Sequence, residues 1–194
     1  MRGAPAGMFA RVPAPSDSRV PFARAVFPVW LVTAAWDFVC ASALSVLAYH
    51  TPVAQLWRGV ASTALGPAAL QGGASAVAAG LGLHLAVALT WAALFVAAAL
   101  RWPALRDAIR TPAGALAVAA VYGPLIWLVM SLAVIPLATG RPPNFGVRWW
   151  VQVFAHVPFV AIPLVFTARR VLAPPTSHVA STRRAIVHPT SEVT

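Results

Sequence analysis

Four apolar runs, each long enough to cross a bilayer, leave this chain few ways to fold. They are residues 27–49, 75–100, 113–135 and 149–168. Crossing about 30 Å of hydrocarbon takes roughly 20 helical residues. Hydrocarbon offers no partner to a free N–H or C=O, so such runs must close their backbone bonds internally, as helices. The charged fraction agrees: 9% here, against about 25% in soluble domains. The expected fold is an all-α integral membrane bundle of four transmembrane helices, spanning residues 27–171. Residues 1–26 read as a basic arm and 172–194 as a polar, disordered tail.

The arginines orient the bundle. A net charge of +10 would suggest nucleic acid in a soluble protein. Here the basic residues lie between and beyond the spans, and the tails lack the interleaved aromatics of a single-strand RNA binder. Placing both termini in the cytoplasm assigns eleven of the 14 basic residues to the inside and three, Arg58, Arg141 and Arg148, to the outside. That bias follows the positive-inside rule. The inner arginines are suited to anionic lipid headgroups. The N-terminal stretch is not read as a cleaved leader, because the first run is too long for one and more spans follow. The expected setting is a bacterial inner membrane, with the lipid bilayer as first partner, a homo-oligomer or membrane partner protein as a further option, and no nucleic acid.

Between the first two spans, Leu56, Trp57, Val60 and Ala64 form an apolar stripe opposite Gln55, Arg58 and Ser62. This predicts a short helix lying on the outer interface or re-entering it. Gly66-Pro67 ends it. In the third span, Pro124 lacks an N–H, so a kink or widened turn is expected there. Trp30 and Trp149-Trp150 read as interfacial anchors.

Asp37 stands near the middle of the first span. An ionisable group at that depth is costly, so it faces a bundle interior and finds partners. The other spans supply candidates: His84 in the second, Tyr122 in the third, and Gln152 with His156 in the fourth. All lie in the outer half or near the middle, so an antiparallel bundle can gather them into one polar cluster. Asp37 is a candidate proton or cation site; its plainer role is an interhelical hydrogen bond. His84 and His156 are the residues that would hold a metal or haem, although two histidines are fewer than a closed metal site uses. Their plainer role is a bond to a backbone carbonyl. Tyr122 reads as a packing residue with a satisfied hydroxyl, and Cys40, the one cysteine, as a small apolar filler.

The chain carries no P-loop, GxSxG elbow, HExxH or CxxC, and its four acids are too few for paired-carboxylate chemistry. The pattern of Asp37, Val60-Ala61-Ser62, Gly66-Pro67, Gln71-Gly72-Gly73, Gly82-Leu83-His84, Tyr122-Gly123, and His156 with Phe159-Val160 and Ile162-Pro163 resembles a family of small, uncharacterised bacterial inner-membrane proteins with four helices. Ala161 stands where that pattern expects glycine. The resemblance implies fold and topology and carries no activity. The leading functional expectation is a non-enzymatic helper subunit or transporter-like module without a cofactor, its bundle fixed by the buried cluster. The alternatives are a redox or lipid-modifying enzyme, with iron held by His84 and His156 as haem or otherwise, or with Asp37 and His84 acting as a base pair on a lipid headgroup, and a proton-coupled carrier acting as an oligomer.

Overall fold

The computed structural model describes residues 21–173, all helix, turn and loop, with no strand among them. We number six helices: α1 Phe22–Leu47, α2 Val53–Leu65, α3 Ala74–Arg101, α4 Pro103–Ala108, α5 Pro112–Thr139 and α6 Val147–Leu172. Four of them, α1, α3, α5 and α6, are long and apolar enough to span a membrane. They run up and down. Arg148 lies 4.3 Å over the Tyr49 ring, joining the start of α6 to the end of α1. At the opposite end Arg169 Nε donates to the Arg110 carbonyl at 3.0 Å.

The spans outrun the apolar stretches that announce them. Helix α1 begins at Phe22, inside the segment read as an arm. Burial explains the difference, since Ala25 and Val29 are fully enclosed and share one core with Leu164, Val165 and Ala168. Small residues dominate that core, with Ala92, Ala115, Ala119 and Ala161 completely buried. They let helix backbones approach closely, which is how helices associate when lipid removes the hydrophobic drive. The large apolar side chains point outward instead. Leu31, Val39, Leu94 and Val121 are each at least half exposed. In water such a surface would be an aggregation liability; in hydrocarbon it is solvated.

Two helices widen at the same dipeptide. In α5 a π-helical turn over Met130–Val134 closes with the Ile135 N–H bonded to the Met130 carbonyl, and Pro136 follows. In α6 a second π turn over Val157–Ala161 closes with Ile162 bonded to Val157, and Pro163 follows. A proline ring clashes with the carbonyl four residues back; widening the preceding turn relieves that clash without ending the helix. The widened turn expected near Pro124 thus occurs six residues or more beyond it, and α5 stays α-helical through Pro124 itself.

Helix α2 is present between the first two spans and packs against α3. Its backbone meets Gly80, where a Cβ would overlap the Trp57 carbonyl. A comparable contact joins α5 to α6: a Cβ on Gly123 would lie 2.8 Å from the carbonyl carbon of His156. The end of α2, the end of α5 and the start of α6 surround a cavity of about 940 Å³.

Candidate functional site

Asp37 and His84 come together across α1 and α3. Asp37 Oδ2 is 3.7 Å from His84 Nδ1, too far for a direct hydrogen bond and close enough for one bridging group or a small rotation. The other imidazole nitrogen, Nε2, is 3.2 Å from the Ala34 carbonyl, one turn before Asp37 on α1. A carbonyl only accepts, so Nε2 carries a hydrogen there. His84 is therefore held by α1 twice, through the backbone on one side of the ring and the carboxyl group on the other.

Helix α2 covers this pair. Trp57 is 2% exposed. Its ring stacks on Phe38 at 5.3 Å and nearly parallel, and tilts against His84 at 5.1 Å. The glycine at position 80, one helical turn before His84, admits the α2 backbone and so brings Trp57 to the imidazole. Thr33, also on the Asp37 face, is buried with no hydrogen-bond partner for its hydroxyl among the described residues.

The remaining residues of the expected cluster have other partners. Tyr122 donates its hydroxyl to the Trp91 carbonyl at 2.9 Å and packs on Trp91 and Phe95. Along α3, Trp91 lies seven residues past His84, a rise of ~10 Å. The third span reaches Thr139 rather than Ile135, which puts Tyr122 deeper from that end than its sequence position suggested. His156 Nδ1 is 2.7 Å from the backbone carbonyl of Gln152, and its ring lies 5.1 Å from that of Trp127. Gln152 lines the cavity. Among the described residues, the observed hydrogen bonds and ion pairs do not tie Tyr122, Gln152 or His156 to the Asp37–His84 pair.

Both histidines bond backbone carbonyls. Among the described residues no group of three or more His, Cys, Asp or Glu side chains is arranged to hold a metal ion. Reading the sequence missed the link between α1 and α6: Trp36 Nε1 donates to the Pro158 carbonyl at 3.2 Å. Pro163, five residues on, has no N–H to give that carbonyl within the π turn. The signal was available in principle as a proline spaced five residues from another.

No family model, curated protein or solved structure matches the chain.

Proposed function

We propose that the protein is a non-enzymatic membrane module, a helper subunit or transporter-like element, whose working part is a proton held in common by Asp37 and His84. The observation that carries this reading is the 3.2 Å approach of His84 Nε2 to the Ala34 carbonyl, an acceptor that calls for a hydrogen on that nitrogen. With Nε2 protonated, a neutral ring presents a bare lone pair at Nδ1 toward Asp37. A carboxylate facing that lone pair would be repelled and would stand in hydrocarbon as an unpaired charge. One further proton on the pair removes both problems, as imidazolium with carboxylate or as imidazole with carboxylic acid. Because the two groups sit on different spans, losing that proton loosens α1 from α3, and Trp57 of α2 is the side chain placed to respond.

In this reading the chain lies in a bacterial inner membrane, as the family resemblance implies. The end that bears Arg24, Arg101, Arg106, Arg110, Arg169 and Arg170 faces the cytoplasm, among anionic headgroups. Helix α2 then belongs to the outer side. It is re-entrant rather than flat on the interface, since Trp57 meets α3 at Gly80, ~9 Å below the start of that helix.

Infrared spectroscopy of the protein in lipid nanodiscs tests the shared proton. The wild-type minus Asp37→Asn difference at neutral pH is expected to carry either a protonated carboxyl band or, with an Asp37 carboxylate, the signature of an imidazolium that disappears in His84→Gln. An ionised Asp37 beside a neutral His84 would sink the reading.

A further inference from the structure

We propose that the 940 Å³ cavity between α2, α5 and α6 is a binding site for the head of an anionic phospholipid. Its size falls within the range of ligand pockets, about 300–1,000 Å³. The proposal rests on the inventory of polar groups around it. Ser131 and Trp149 line the cavity and are 5% and 8% exposed. Ser131 Oγ, Trp149 Nε1 and the Nε1 of Trp127, which also lines the cavity, are all buried and have no hydrogen-bond partner among the described residues. An indole N–H can only donate. Buried donors are nearly always paired, yet three of the seven unpartnered buried polar atoms among the described residues belong to this one wall. All three residues line the cavity.

The charges point the same way. Arg141 and Arg148 line the cavity. Among the described residues the two acids lie elsewhere: Asp37 beside His84 and Asp107 beside Arg110. Neither arginine has a carboxylate partner among the ion pairs seen there. Other hydroxyls of the wall are already spent on their own helices, Ser62 on the Gly59 carbonyl and Thr63 on Val60. Among the described residues the site therefore offers donors and positive charge and lacks anionic acceptors. A complementary ligand brings several acceptor oxygens and negative charge, which is the chemistry of a phosphate ester.

The apolar part of the wall specifies a tail. Leu65, Ile135 and Val147 share the lining with the two tryptophans. Leu65 and Val147 are largely exposed, so the surface beside the cavity is apolar. A phosphate held by Arg148, Trp149 and Ser131 would leave acyl chains to run along these side chains. This site is separate from the Asp37–His84 pair, and either assignment stands without the other.

Native mass spectrometry of the full chain in detergent tests the assignment, with dioleoylphosphatidylglycerol, dioleoylphosphatidylcholine and inorganic phosphate as separate probes. The expected result is one phosphatidylglycerol retained at least about tenfold more tightly than phosphatidylcholine, with phosphate alone not retained. Arg148→Gln should weaken that binding by about tenfold or more, the loss typical of a hydrogen bond to a charged group. Ser131→Ala removes a hydroxyl with no protein partner, so the fold should tolerate it, and it should weaken binding severalfold. Equal retention of the two lipids, or phosphatidylglycerol binding unchanged in the folded Ser131→Ala and Arg148→Gln variants, would overturn the site. Phosphate binding as tightly as the lipid would overturn the phospholipid and leave a free-anion site.

Discussion

The indole of Trp36 on α1 reaches across to the one carbonyl in α6 that Pro163 leaves without its π-turn donor, that of Pro158, at 3.2 Å. The side chain is half exposed on the outer face, yet its N–H is turned inward. A defect in one helix is thereby completed by its neighbour, as happens where prolines interrupt spans.

Removing that donor should cost little alone and reveal its partner when combined. Trp36→Phe is expected to destabilise the bundle by about 0.6 kcal/mol, the usual size of an interhelical hydrogen bond in lipid. Pro163→Ala restores an N–H within α6, so in that background Trp36→Phe should cost less. A double-mutant cycle of unfolding in mixed micelles measures the coupling; strictly additive effects would show that the indole is not serving the freed carbonyl.

Two glycines on α3, two residues apart, should behave oppositely. A Cβ on Gly80 collides with the Trp57 carbonyl, whereas one on Gly82 meets nothing within 4 Å. Gly80→Ala is expected to cost about 1–3 kcal/mol by overpacking and to unseat Trp57 from His84. Gly82→Ala should be neutral or stabilise by up to about 1 kcal/mol through helix propensity. Thermal denaturation in detergent, with Trp fluorescence as a second readout, separates them.

The Asp37–His84 pair should show the asymmetry of a buried polar partnership. Asp37→Leu leaves His84 Nδ1 without its partner, and His84→Leu strands the carboxyl group; each is expected to cost about 2 kcal/mol. The double variant should cost clearly less than the sum, because it removes both groups at once. Additive losses, measured by unfolding in micelles, would mean that the two side chains do not interact.

The proposed orientation can be read with single cysteines. In a Cys40→Ala background, Val147→Cys is expected to react with a membrane-impermeant maleimide added outside intact cells, and Trp102→Cys only after permeabilisation. Both positions are well exposed and lie at opposite ends of the bundle. The reverse pattern would invert the topology.

The four spans were legible because length and hydropathy depend on nothing but local composition. Their ends were less so. Phe22–Val26 looked like part of an arm because Arg24 interrupts it, and only the packing of Ala25 and Val26 against α6 makes it helix. The Asp37–His84 pair was half legible: depth along each span suggested that polar residues share a level, but not which way each helix is rotated. Tyr122 illustrates the limit, since an end moved from Ile135 to Thr139 is enough to displace it. The cavity left only a faint trace. Trp149-Trp150 reads as a pair of interface anchors, yet Trp149 is 8% exposed and Trp150 53%, because consecutive helical residues face about 100° apart. One lines a pocket while its neighbour lies on the outer surface.

The two Ile-Pro π turns bear on how such spans should be drawn. Each inserts one residue beyond the α-helical count, so the angular phase of the helix slips by about 100° between its halves. A single helical wheel for α6 would put Gln152 and Leu164 in a relation they do not have. The face that looks toward the cavity at Trp149 and the face that enters the core at Leu164 and Ala168 belong to two differently phased segments. One span can thus line a cavity at one end and form a tight alanine-lined seam at the other, within one continuous helix.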